Sequence, residues 1–310
     1  YHVAQQGKPD SQYLYGCMLR DGKDMPKDIN EAVVYFKRAS DQGHLDAMVS
    51  YAACLKEGTG VQKDEAEALR LMNIAAEKDN VEAQVMLAGW YSKDRPRKYG
   101  LAYVLLKKAE KQHSDAPAMI GSLMEKRKLG ATPNQEEIML LYKTSCERAS
   151  PEGMYHMATF YHRGNSVVTE NKTEAARLYA LAAKNQNANQ GAAVLLLSIL
   201  YEEMGEYEKA FSNADFYRSQ DMFEGYVRCS DLYRNGIGVE KNEAKADEYL
   251  KIACEPRFAK EQMTTGLLYS RGKGVKRDKA KAFYWTEIAA KNGSPQGQAN
   301  LCGYYIDGYG

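Results

Sequence analysis

The sequence predicts an all-α fold: a right-handed α-α superhelix (solenoid) of helix-turn-helix repeats of about 36 residues. Three observations carry that expectation. Glycine pairs recur at a fixed interval, with Gly236 and Gly238 followed 36 residues later by Gly272 and Gly274 and again by Gly308 and Gly310. Upstream stand Gly58 and Gly60, and Gly22 lies 36 residues before Gly58. A large apolar residue precedes each turn, at Leu19, Leu55, Tyr91, Met124, Tyr161, Tyr201, Tyr233, Tyr269 and Tyr305. Eight residues before these lie Ser11, Ala47, Ala83, Ala116, Gly153, Ala193, Gly225, Glu261 and Gly297, all small but one. After the turn, alanines recur seven apart, as Ala32/Ala39, Ala68/Ala75, Ala102/Ala109, Ala175/Ala182, Ala246/Ala253 and Ala282/Ala289. Seven residues is two helical turns, so each pair shares a face.

Each element then follows in order. Val3 and Gly7 lie 36 residues before Ala39 and Gly43, so residues 1–9 read as the tail of a preceding repeat. Eight full repeats are expected at 10–44, 45–80, 81–114, 115–150, 151–188, 189–221, 222–256 and 257–293, and 294–310 supplies the first helix of a ninth. An array open at both ends leaves apolar stripes in water, so further repeats or capping elements are expected at both ends. In each first helix the small residue lets a neighbouring helix approach, and the large residue fills the gap. Glycine takes the positive φ of the turn without a Cβ penalty. Asp28, Asp64, Asn242 and Asp278 suit the N-caps of second helices, while Ser150-Pro151 and Ser294-Pro295 place a cap and an N1 proline before first helices. The third repeat replaces the glycine turn with Asp94-Arg95-Pro96-Arg97, and the fourth has Arg127-Lys128-Leu129-Gly130 before Thr132-Pro133. The sixth, from Tyr201, has a tight turn after a longer connection through Asn185–Gln190. A bend or change of rise is expected across these middle repeats.

Composition limits the functions open to such a chain. Lys and Arg total 42 against 41 Asp and Glu in 310 residues, so no global field draws it to nucleic acid or to an anionic membrane. The longest nearly apolar run, Gly191–Tyr201, falls well short of the ~20 residues of a membrane span. The first residues lack the order of a signal peptide. The six cysteines form no CxxC pair and no metal-ligand spacing with the five histidines, and they read as small buried apolar groups. His156 and His162 are six apart, wrong for a one-face ligand pair. The acidic column Asp10, Asp46, Glu82, Asp115, Glu152 and Glu224 falls at the starts of first helices, where the macrodipole favours negative charge. Asn171-Lys172-Thr173 and Asn292-Gly293-Ser294 are sequons at a frequency close to chance. The basic run Arg271–Lys281 reads as a solvated turn. Catalytic residues, metal and cofactor are therefore all expected to be none.

The repeat Thr265-Gly266…Tyr269…Gly272-Lys273-Gly274-Val275…Asp278…Ala282…Ala289, and its counterpart Tyr51-Ala52…Leu55…Gly58-Thr59-Gly60-Val61…Asp64…Ala68…Ala75, resemble the Sel-1-like repeat, a slightly longer relative of the tetratricopeptide unit. The resemblance covers essentially the whole chain. It implies a non-enzymatic scaffold or adaptor that binds a peptide or partner domain on the concave face. The alternative it implies is a regulatory or docking segment of a larger protein, such as a substrate-handling subunit of an endoplasmic-reticulum ubiquitin ligase complex or an enzyme regulator. The cytoplasm is slightly preferred as compartment, with the endoplasmic-reticulum lumen or secretion left open. In the tetratricopeptide geometry first helices line the groove. Partner-binding positions expected on that face are Tyr13, Lys56, Ser122, Glu125, Tyr155, Thr159, His162, Glu202, Asp231, Arg234 and Ser270. The expected partner is a protein or peptide, with no nucleic acid and no membrane insertion of this segment.

Overall fold

The computed structural model describes residues 7–94, 96–126, 128–130, 134–185, 189–272 and 276–306. Expectations placed on Val3, Arg95, Arg127, Thr132, Pro133, Gly274, Val275, Gly308 and Gly310, and on the middle of the Asn185–Gln190 connection, lie outside these residues. The described residues hold helices and no strand. In chain order the helices are α1 (Pro9–Asp21), α2 (Ile29–Asp41), α3 (Leu45–Glu57), α4 (Glu65–Glu77), α5 (Val81–Lys93), α6 (Tyr99–Ala109), α7 (Ala116–Glu125), α8 (Gln135–Glu147), α9 (Pro151–Arg163), α10 (Lys172–Ala183), α11 (Gln190–Glu203), α12 (Tyr207–Ser219), α13 (Phe223–Asn235), α14 (Glu243–Ala253), α15 (Ala259–Arg271), α16 (Lys279–Lys291) and α17 (Pro295–Ile306). A short 3-10 turn, Pro256–Phe258, precedes α15.

The chain divides into two compact units, Tyr1–Asn134 and Gln135–Gly310. Within each, successive helices pack on one another, save α14 and α15, which the 3-10 turn separates, and first helices also touch one another, as α3 does α5 and α11 does α13. This all-α helix-turn-helix stacking is what the periodicity predicts. All twelve alanines of the seven-residue pairs are 0% exposed. Their small faces bring the two helices of a repeat together. The two repeats without an alanine pair use other residues at the same spacing: Ile138 with Ser145 in α8, and Ala210 with Tyr217 in α12, all buried.

The turn is closed by a recurring backbone bond. The amide of the cap residue donates to the carbonyl of the large apolar residue: Asp28 to Leu19 (3.0 Å), Asp64 to Leu55 (3.0 Å), Asn242 to Tyr233 (2.9 Å) and Asp278 to Tyr269 (3.1 Å). The same cap side chains then accept from the third residue of the second helix, at 2.9–3.0 Å. Asn171, the first residue of a sequon, does the same for Glu174 at 3.0 Å. Gly236, at φ +67°, ends α13, and Gly238, at φ +66°, follows it. A Cβ on Gly238 would lie 2.0 Å from the carbonyl oxygen of Tyr207, the first residue of α12. Gly60 sits in the same way against Ile29 O, at 2.9 Å, at the start of α2. The second glycine of the pair is thus where a turn meets the second helix of the preceding repeat.

Candidate protein-binding groove

First helices meet through their N-terminal ends. In the first unit, His44 Nδ1 accepts from Ala47 N (3.1 Å) and caps α3, while Nε2 faces Asp10 of α1 at 3.3 Å. Asn80 repeats the device, accepting from Ala83 N at 2.9 Å and donating to Asp46 at 2.7 Å. His113 accepts from Asp115 N at 3.1 Å and faces Glu82 at 3.3 Å. In the second unit Asn189 donates to Glu152. His44 and Asn80 each cap their own helix through an acceptor, and all four side chains reach the carboxylate of the preceding first helix. The Glu82 hydrogen bond holds the His113 imidazole above its ordinary value and the carboxylate below its own. Helix-end stabilisation, expected for the acidic column, is accompanied by a link between successive repeats.

Along this face of the first unit runs a groove of about 290 Å³. Tyr13 and Arg20 of α1, Val49, Ser50 and Ala53 of α3, and Met86 of α5 line it, with the Asp46 and Glu82 carboxylates at its edge. Three successive first helices thus contribute to one surface. The Tyr13 ring is half-buried, 4.8 Å from the His44 ring and 6.0 Å from Phe36, which fixes it as one wall. Cys54 also borders the groove, but burial pushes its thiol up, away from the thiolate a nucleophile needs. The chemistry on offer is an apolar trough with acidic edges, suited to an apolar side chain flanked by donors.

The remaining expected positions do not join Tyr13 in one site. Ser270 lines a separate cleft in the second unit with Asn300 and Tyr304 of α17. Lys56 is held by Asp94 (2.6 Å) and Glu65 (3.3 Å). Glu202 and Asp231 both face the guanidinium of Arg228, at 2.6 and 3.6 Å. Arg234 is exposed and paired with Asp247 at 2.7 Å. Glu125 is half-buried.

Four positions expected to face outward are buried: Ser122, Tyr155, Thr159 and His162. Ser122 accepts from Lys126 Nζ at 2.8 Å, and Thr159 donates to His156 O at 2.7 Å. Tyr155 packs on the His156 ring at 5.2 Å, and His162 lies between Tyr179 of α10 (3.4 Å) and Glu203 of α11 (3.1 Å). The physical reason is that a stacked first helix is covered by its own second helix and by the flanking first helices, so its buried arc is wider than the stripe of an isolated pair. Sequence reasoning did not single out Arg228, a nearly buried cation that donates to Ser198 (3.2 Å) and Glu202 and so ties α11 to α13. An arginine on an otherwise apolar face was its only signal.

These features define a helical-repeat protein whose first helices form a shared face. A family model described as Sel1 repeat matches residues 9–44, 45–80, 81–114, 151–187, 224–255 and 265–294, and the chain belongs to the Sel1 repeat family. Proteins of this family mediate protein-protein interaction and are typically non-catalytic scaffolds. Of the segments left out, 115–150 and 188–223 are those where the alanine pair gives way to Ile138/Ser145 and Ala210/Tyr217. Among solved structures, c5321, a protective antigen of uropathogenic Escherichia coli with an SLR fold, superposes with TM-score 0.61 at 22% identity, over 98% of this chain and 66% of its own. This chain thus spans about two-thirds of that antigen's length. A Sel1 repeat protein from Oxalobacter formigenes gives 0.50 at 22% identity, over 97% and 88%. Both likenesses bear on the fold alone. No curated protein matches the chain. No helix among the described residues is long and apolar enough to cross a membrane.

Proposed function

We propose that this chain is a non-enzymatic scaffold or adaptor that binds a peptide or partner domain along its first helices. The observation that carries the reading is the groove of the first unit, where Tyr13, Ser50 and Met86 from three successive first helices meet at one apolar trough with Asp46 and Glu82 at its edge. Extended recognition surfaces of this kind suit peptides, whose side chains are read in successive pockets. The buried thiol of Cys54 and the caps' engagement with the acidic column leave these groups to structure rather than to acid-base or nucleophilic work. The near-neutral charge balance favours a protein partner over nucleic acid.

The experiment is selection of peptides from a display library on the full chain, followed by affinity measurement on a Ser50→Arg variant. Selected peptides should carry an apolar anchor beside a basic residue and lose at least about tenfold in affinity for the variant, the scale of one lost anchor. Peptides that bind the variant as well as the parent would refute the groove as the site.

A further inference from the structure

Glu224 stands apart from the rest of the acidic column. At Asp10, Asp46, Glu82 and Glu152 the carboxylate is met by a side chain at or just before the start of the following first helix. For Glu224, at the start of α13, the corresponding cap is Phe258, which has no donor to give. The Glu224 side chain is turned instead toward α11, so closely that a Cβ on Gly191 would lie 2.0 Å from its Oε1. It is 5% exposed, its carboxyl accepts from its own backbone amide, and no cation pairs with it among the described residues. A buried carboxyl of this kind is costly unless a cation joins it.

Glu224 borders a cavity of about 370 Å³ formed at the N-terminal ends of α11, α13 and α15. Phe223, Phe258 and Ala192 supply apolar wall, and Glu261 of α15 adds a second carboxylate. The two cations at the rim are differently placed. Arg257 is spent on Asp221 and on Glu255 (2.8 Å), and Lys260 is exposed. The cavity thus sets two carboxylates beside an apolar wall.

We infer that this cavity is a binding site for a protonated primary amine on an aliphatic stem, the chemistry of a lysine side chain of a partner protein, with Glu224 and Glu261 as the carboxylates that receive the ammonium. It is separate from the groove of the first unit, so its failure leaves that reading standing. Burial, together with Glu261, raises the Glu224 carboxyl to about 7, so the site changes its affinity for a cation near neutrality. Glu261 and Lys260 of α15, Arg257 of the 3-10 turn and Asp221 before α13 are the charged groups that face it.

The test is NMR titration of the full chain with Nα-acetyl-lysine N-methylamide against the norleucine analogue, which keeps the stem and lacks the charge. The lysine derivative should shift resonances of Gly191, Glu224 and Thr264, with affinity falling about tenfold between about pH 8 and about pH 6 as the carboxyl protonates. Glu224→Gln, nearly isosteric, should abolish that pH dependence and weaken binding at least about tenfold, the scale of a lost charge-assisted hydrogen bond. Glu261→Gln, at a half-buried position, should weaken it less. Equal binding of the norleucine analogue, binding unchanged in Glu224→Gln, or no shifts at millimolar concentrations of the derivative would each overturn the assignment.

Discussion

Replacing Gly238 with alanine, and separately Gly236, distinguishes the two roles of the recurring glycine pair. Both residues lie at positive φ, +66° and +67°, where an L-residue costs about 1–2 kcal/mol. At Gly236 the new Cβ meets Lys241, its Cβ at 3.3 Å and its backbone nitrogen at 3.6 Å, a contact that a shift of a few tenths of an ångström relieves. At Gly238 it would lie 2.0 Å from Tyr207 O and 2.5 Å from Tyr207 C, backbone atoms at the start of α12. Relieving that contact requires α12 and the turn to part, which adds about 1–3 kcal/mol by the usual cost of overpacking. Gly236→Ala should therefore cost about 1–2 kcal/mol, and Gly238→Ala about 2–5 kcal/mol. Against total stabilities of about 5–15 kcal/mol the larger value is readily measured. Urea unfolding gives the magnitudes. Native-state hydrogen exchange gives the place, because a repeat array opens locally, and Gly238→Ala should deprotect α12 and α13 before α16. A Gly238→Ala cost no greater than that of Gly236→Ala would refute the claim that the second glycine is the contact between repeats.

Three further outcomes follow from the same geometry. Asn80→Ala removes both the cap on α5 and the bond to Asp46, and should cost about 0.5–2 kcal/mol in urea unfolding, whereas Asn80→Asp should keep the cap yet set like charges side by side. Burial holds the His162 imidazole below its ordinary value, partly offset by Glu203. Its contribution to stability is then present above the unfolded value near about 6.5 and is lost as pH falls through that value toward the depressed folded one; His162→Gln should remove this part of the pH slope of thermal unfolding. Tyr269→Ala deletes a buried ring that Lys281 Nζ approaches at 5.2 Å, and should cost about 3–5 kcal/mol while exchange rises first in α15–α17.

Much of the fold was legible because it repeats. The spacing of Ala32 and Ala39, or Ala246 and Ala253, is a backbone fact: two turns of helix put both on one face, and a second helix can come close only where both are small. The caps at Asp28 and Asp64 were legible for the same reason, since the orphan amides of a helix start require an acceptor at one position. The binding face was not legible to the same degree. Ser122, Tyr155, Thr159 and His162 are buried, and His162 touches both Tyr179 of its own second helix and Glu203 of the next first helix, a neighbour that a helical wheel of one repeat does not contain. Glu224 shows the same limit. It shares a column with Asp46, and only the residue at the next cap, Phe258 in place of Asn80, distinguishes a satisfied carboxylate from a buried one.

In the proposed function, partners bind along the first helices rather than along the second. A photo-reactive residue placed at Ser50 or Met86, on the groove, and at Val34 or Val104, exposed on second helices α2 and α6, tests it with display-selected peptides. Cross-links from Ser50 and Met86 with little from Val34 and Val104 are the predicted result. Cross-links concentrated at Val34 or Val104 would contradict it.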